Sequence, residues 1–121
     1  MEHYRLNEWL NFIATEIHKQ FAPLWHVETP AATQATQRAT LARRFALIEE
    51  TLTERPFLTG NMFTIADAYL FTVVRWADPL KVDLTAFPPL RKFQERVAAR
   101  PKVRAALEAE HLVKDRAPAT V

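Results

Sequence analysis

Apolar residues recur along this chain at the spacing of helix faces. Leu6, Leu10, Ile13, Ile17 and Phe21 form one stripe, which predicts a helix over residues 3–21 that Pro23 breaks. No Ser, Thr, Asp or Asn caps its start, and the periodicity begins almost at Met1. A helix that opens uncapped reads as one that something preceded, although a disordered tail would look the same.

Thr29-Pro30 opens a second helix, with Thr29 as cap and Pro30 at the first helical position, where its missing N–H costs nothing. The stripe Arg38, Leu41, Phe45, Ile48 and Leu52 carries it to about Thr53. Pro56 and Gly60 bound a short connection holding Phe57 and Leu58. Thr64 followed by Asp67 is a variant capping box. The hydroxyl can accept the Asp67 N–H, and the carboxylate can reach back to the Thr64 N–H. Phe63 precedes the cap, and Ala68 is a weak staple partner for it. From Ile65 to Ala77 the pattern is apolar almost all the way round, as in a helix with neighbours on every side.

Asp78-Pro79 ends that helix, and residues 79–87 read as a loop. Pro88-Pro89 opens a fourth helix with Leu90, Phe93 and Val97 inside. Pro101 opens a fifth with Val103, Ala106, Leu107 and Leu112. The polar segment from Lys114 reads as a flexible tail. The prediction is an all-α five-helix bundle with a buried central helix, formed by residues 1–113, and a tail over 114–121.

Composition narrows the classes. The chain has 121 residues, one domain's worth, and 49% of them are hydrophobic, enough for a core. A single Gly argues against a β-rich fold with tight turns. With no Cys, a disulfide framework, a thiolate zinc site and a cysteine nucleophile are all excluded. The formal charge is +2, with basic residues interleaved among acids, so no one-signed patch for nucleic acid emerges. No stretch approaches the roughly 18 apolar residues of a membrane span, and no signal-peptide layout opens the chain. The expectation is a soluble cytoplasmic protein. His3, His26 and His111 show no ligand spacing, so no metal site is assigned. Nor is there a Gly-rich phosphate loop or a Ser-His-Asp layout.

The first helix has a second face. At about 100° per residue, Tyr4, Asn11, Thr15 and His18 fall within roughly 60° of one another, away from the apolar stripe. Uncharged hydrogen-bonding groups stand there where a solvent face usually carries Glu and Lys. This is either a partly exposed polar face or the wall of a polar cleft. Trp76, at the end of the third helix, is either a core aromatic or one with a free face. Asp67 reads as structural, since its partners are backbone N–H groups.

Three stretches carry a family resemblance. Glu8-Trp9-Leu10-Asn11-Phe12-Ile13-Ala14-Thr15-Glu16-Ile17-His18-Lys19 is the first. The second runs from Phe57-Leu58-Thr59-Gly60-Asn61-Met62-Phe63-Thr64-Ile65-Ala66-Asp67 to Arg75-Trp76. Arg96-Val97-Ala98-Ala99-Arg100-Pro101-Lys102-Val103 is the third. They resemble the C-terminal helical domain of beta-class bacterial glutathione transferases, over about residues 3–112. The middle stretch marks the wider superfamily and the first marks the beta class.

In that family a thioredoxin-like domain comes first. It supplies most of the glutathione site and, in the beta class, a cysteine near the tripeptide sulfur. This chain departs from the pattern there. By resemblance, Asn11, Thr15 and His18 border the glutathione site from the helical side, and Lys19 is a neighbouring basic position. Trp76 lines the hydrophobic co-substrate pocket, and Thr64 with Asp67 nucleates the central helix. The resemblance implies a hydrophobic-substrate-site domain that is inactive or weakly active alone, so whether it is an enzyme stays open. No cofactor is expected, and glutathione would be a substrate beside a hydrophobic electrophile. The alternative is a helical interaction module that forms a homodimer or pairs with a separate thioredoxin-like chain.

Overall fold

The computed structural model describes the backbone of residues 2–116 and the side chains of residues 5–110. Five α-helices are present among the described residues: α1 Glu2–Phe12, α2 Ala31–Glu54, α3 Ile65–Val74, α4 Pro88–Ala98 and α5 Pro101–Arg116. The fold is the all-α one expected, with several local differences.

The first lies in the opening rod. After α1 the chain winds as a π-helix over Ile13–His18 and as a 3₁₀-helix over Lys19–Trp25. Lys19 donates its N–H to the Ala14 carbonyl, five residues back, which is the bond that defines the wider winding. Pro23 does not end the rod but sits inside its 3₁₀ part. Proline forfeits an N–H donor and crowds the carbonyl four residues back, and here the rod is wound in the tighter form. It ends at His26, which is extended at φ −100° and ψ 120°.

The second concerns the start of α2. Pro30 is the capping residue rather than the first helical one, and no side chain caps the helix. Pro30 is extended at ψ 145°, and its carbonyl accepts the Gln34 N–H at 3.0 Å. Thr29 belongs to the preceding turn, its N–H bonded to the His26 carbonyl at 3.2 Å.

The third concerns the chain's other end. α5 continues through Arg116, into the segment expected as a tail, and the rest of that segment lies outside the described residues. Val103 and Leu107 pack on the core as expected, whereas Ala106 is exposed. Leu112 falls beyond the described side chains.

The core collects the predicted stripes. Ile13, Ile17 and Phe21 from the rod meet Leu41, Phe45 and Ile48 from α2, all fully buried. Leu70, Val73 and Val74 of α3 and Leu90, Phe93 and Val97 of α4 complete it. Phe45 joins the layers, with its ring centroid 6.5 Å from Phe21 and 5.9 Å from Phe87. Arg38, on the expected apolar stripe, is half-buried instead. Its guanidinium donates twice to the Leu80 carbonyl, at 3.3 and 3.2 Å, tying α2 to the loop after α3.

α3 begins where the capping box predicts. The Thr64 N–H donates to Asp67 Oδ2 at 2.7 Å, and the Thr64 hydroxyl to the same oxygen at 3.1 Å. Asp67 Oδ1 accepts the Leu58 N–H at 2.9 Å, so one buried carboxylate also fastens the preceding connection. That connection is pinned by paired backbone bonds between Phe57 and Gly60. Gly60 has φ +139°, which a side chain would strain. Phe63 meets Phe57 edge-on at 5.8 Å and carries the Arg100 guanidinium 4.1 Å from its ring centre.

α3 is not enclosed all the way round. The α-helix stops at Val74 and Arg75–Ala77 follow as a 3₁₀ turn; along the two, Ile65, Tyr69, Thr72 and Trp76 recur at helical spacing, and each is exposed or half-buried. This stripe positions the candidate site.

Candidate functional site

The polar end of the opening rod faces the unburied stripe of α3. Between them lies a groove of about 450 Å³ lined by Ala14, His18, Lys19, Ala22, Trp25, Tyr69 and Trp76. The alanines come from the rod and give the groove room. Tyr69 on α3 and Trp76, in the short 3₁₀ turn Arg75–Ala77 that continues it, stand on the opposite wall.

His18 is the hinge of this arrangement. Its Nδ1 lies 2.6 Å from the Tyr69 hydroxyl oxygen. Its ring meets Tyr69 at 79° with centroids 5.6 Å apart, and Trp76 at 70° with centroids 5.0 Å apart. Trp76 in turn takes edge contacts from Phe21 and Trp25, both at 5.7 Å. Phe21 is buried, while Trp25 is 50% exposed. Trp76 is therefore packed on Phe21 and only half-buried, with surface left on the groove.

Of the residues expected at the site, His18, Lys19 and Trp76 come together. Asn11 and Thr15 do not line this groove. Thr15 turns its hydroxyl back onto the Asn11 carbonyl, at 2.9 Å, so that donor is already spent inside the helix. Thr64 and Asp67 lie at the other end of α3 and hold the fold. Burial pushes the Asp67 carboxyl above its ordinary range, opposed by the N–H groups of Leu58 and Thr64, the Thr64 hydroxyl and the Arg100 charge.

Besides the two alanines, the groove residues Tyr69 and Trp25 escape the sequence reading. Tyr69 had a usable signal: it precedes Trp76 by seven residues and so shares its helix face. Trp25 had none, because it follows a proline that the helical pattern treats as an end.

The groove's charge is one-sided. Among the described residues Lys19 is the formally charged side chain on its wall, and no carboxylate lines it. A Lys ammonium of this kind complements an anionic group. A larger cleft of about 920 Å³ opens behind the two tryptophans, between α3, α4 and α5. Phe71, Val97, Val103 and Leu107 line it, so apolar surface continues past the groove. Among the described residues, no helix is long and apolar enough to cross a membrane.

Residues 12–101 match the family described as glutathione S-transferase, C-terminal domain. The chain belongs to that family. It is 46% identical over 109 residues to glutathione S-transferase GstA of Escherichia coli O157:H7, an alignment covering 90% of this chain and 54% of that protein. Its fold is similar to a sphingomonad glutathione S-transferase complexed with glutathione. There the TM-score is 0.86 and the identity 34%, over 93% of this chain and 56% of that one. It is also similar to the beta-class transferase of Sphingomonas chungbukensis, with TM-score 0.84 and identity 32%, over 91% of this chain and 55% of that one. The beta-class bacterial resemblance therefore stands. The chain spans about half the length of the curated relatives it matches.

Proposed function

We propose that this glutathione S-transferase C-terminal domain supplies the helical wall of a glutathione and hydrophobic co-substrate site, and that alone it has little or no transferase activity. The observation that carries the reading is the groove itself, with His18 and Lys19 beside the faces of Tyr69, Trp76 and Trp25. Lys19 offers charge for a tripeptide carboxylate, His18 a hydrogen bond near the sulfur, and the tryptophans an apolar seat for the electrophile. Asn11 and Thr15 belong to the proposal more weakly, as the rod surface leading to the groove.

Activating a thiol needs donors converging on the sulfur from several sides. This groove presents two walls of one helical domain, and the domain holds no cysteine. A thioredoxin-like domain, in the same protein or a separate one, would supply the rest. The test is turnover of glutathione with an aromatic halide by the 121-residue chain. Rates at background are expected, and a clear enzymatic rate overturns the reading. Glutathione titration followed by NMR at His18 and Lys19 tests the half-site separately.

A second reading, an interaction module, is favoured by large apolar side chains left in solvent. Met62 is 75%, Ile65 65% and Leu47 51% exposed. The partner would be a second copy or a thioredoxin-like chain. Light scattering after size exclusion distinguishes a dimer from a monomer, and a monomer at high concentration removes the self-association version.

A further inference from the structure

We propose that Tyr69 is a positioning residue. Its hydroxyl donates to His18 Nδ1, which holds the imidazole in the tautomer that carries its proton on Nε2. The inference rests on the groove assigned above and names the group that the groove turns toward an anionic ligand.

The geometry is specific. At 2.6 Å the Tyr69 oxygen and His18 Nδ1 form a short contact, and one of the two must donate. A neutral imidazole has one N–H and one bare nitrogen, and the bond made by one nitrogen settles the role of the other. A phenol is the stronger acid of the two and the better donor. With Tyr69 donating, Nδ1 accepts and the proton sits on Nε2. Among the described residues Nε2 has no protein partner, and His18 lies on the groove wall. The site then presents an N–H donor rather than a bare acceptor. A thiolate or carboxylate accepts that bond, whereas a cation does not.

The surroundings keep the pair in place. Trp76 packs edge-on against His18 at 5.0 Å, and Tyr69 itself at 5.6 Å, so the ring has little freedom to turn the other nitrogen inward. His18 is the last residue of the rod's π-helical stretch, and π turns recur at functional sites. Lys19, on the same wall, adds charge and no competing acceptor.

The experiment is nitrogen-15 NMR of the histidine rings in the whole chain. The His18 signals are assigned by their disappearance in His18→Gln. Above the histidine titration, the wild-type protein should show His18 Nε2 as the proton-bearing nitrogen and Nδ1 as the bare one. Tyr69→Phe keeps the ring and deletes only the oxygen. In that variant the two nitrogens should move toward each other, as tautomers mix. The wild-type spectrum decides the tautomer even if the variant folds poorly. A proton on Nδ1 in the wild type overturns the proposal, as does an unchanged pattern in a folded Tyr69→Phe. Glutathione is then added to the wild type. No shift at His18 Nε2 fells the glutathione reading and leaves the tautomer result standing. A shift at Nε2 with the proton on Nδ1 does the reverse.

Discussion

The Glu49 carboxylate on α2 accepts the N–H of Leu90 on α4 at 2.9 Å, across 41 residues of sequence. The reason lies at the start of α4. Pro88 and Pro89 have no N–H, so Leu90 brings the first free donor of that helix, and a side chain from another helix takes it. The contact caps α4 and fixes where it docks on α2. Glu49→Ala should lower stability by about 1 kcal/mol, the usual worth of a cap. Urea unfolding of the two proteins checks this, and coincident midpoints would exclude the role.

Asp67 carries more than a cap. Its buried carboxylate accepts the N–H groups of Leu58 and Thr64 as well as the Thr64 hydroxyl. Asp67→Ala leaves these donors without their partner, Leu58 N–H in a buried place. The cost should be about 2–4 kcal/mol, a cap plus an unsatisfied buried donor. Equilibrium unfolding measures it, and a loss of a few tenths would reduce Asp67 to a surface cap.

The same carboxyl gives the fold a pH dependence whose sign is fixed. Burial raises its pKa in the folded state, despite the opposing hydrogen bonds and Arg100. The folded protein therefore binds that proton more tightly than the unfolded chain does. The linked stabilisation is complete below the unfolded-state pKa and disappears as pH rises through the folded-state value. Asp67→Asn cannot titrate and should lack this fall. The difference between the unfolding midpoints of wild type and variant, followed across the acid range, reads Asp67 alone. It isolates Asp67 from Glu49, also raised by burial, and from Asp83, lowered by its bonds to Thr85. A difference independent of pH would remove the linkage.

How far the fold and the site can be read from sequence differs for a physical reason. Helix positions follow from apolar periodicity and from Pro, Thr64 and Asp67, all local signals; the five helices stand where these put them, while the ends read at Pro23, Thr29-Pro30 and Lys114 shift. The site depends on where side chains point after the winding changes. A constant 100° per residue puts Asn11, Thr15 and His18 on one stripe. From Ile13 the rod winds as a π-helix, with more residues per turn, and the register beyond that point drifts. His18 and Lys19 face α3, while Asn11 and Thr15 stay off the groove. Nothing in the apolar pattern announces that change, because Ile13 and Ile17 are fully buried in the wider winding, as they would be in the narrower one. Trp25 is hidden for a related reason: Pro23 reads as a stop, yet the chain continues helically past it.

Trp76 links the groove to the core through His18, Phe21 and Trp25. Trp76→Ala should cost about 2–4 kcal/mol, the lower range for a large aromatic because one face is already open. Trp76→Phe keeps a ring in the packed position and should cost clearly less. Denaturant midpoints of both variants test this. Equal losses would mean that the ring contacts contribute little beyond area.

Lys19 and Thr15 separate the groove from the helix face beside it. The Lys19 ammonium is exposed, so its pull on a ligand carboxylate is screened. Lys19→Gln should weaken glutathione binding by about two- to fivefold, equivalent to about 0.5–1 kcal/mol, and should flatten its dependence on salt. Thr15 has already given its hydroxyl proton to the Asn11 carbonyl and offers a ligand only an acceptor. Thr15→Ala should therefore leave glutathione-induced shifts at His18 and Lys19 unchanged. NMR titrations at two salt concentrations measure both effects. If Thr15→Ala weakens binding as much as Lys19→Gln, the glutathione contact extends along the rod beyond the groove.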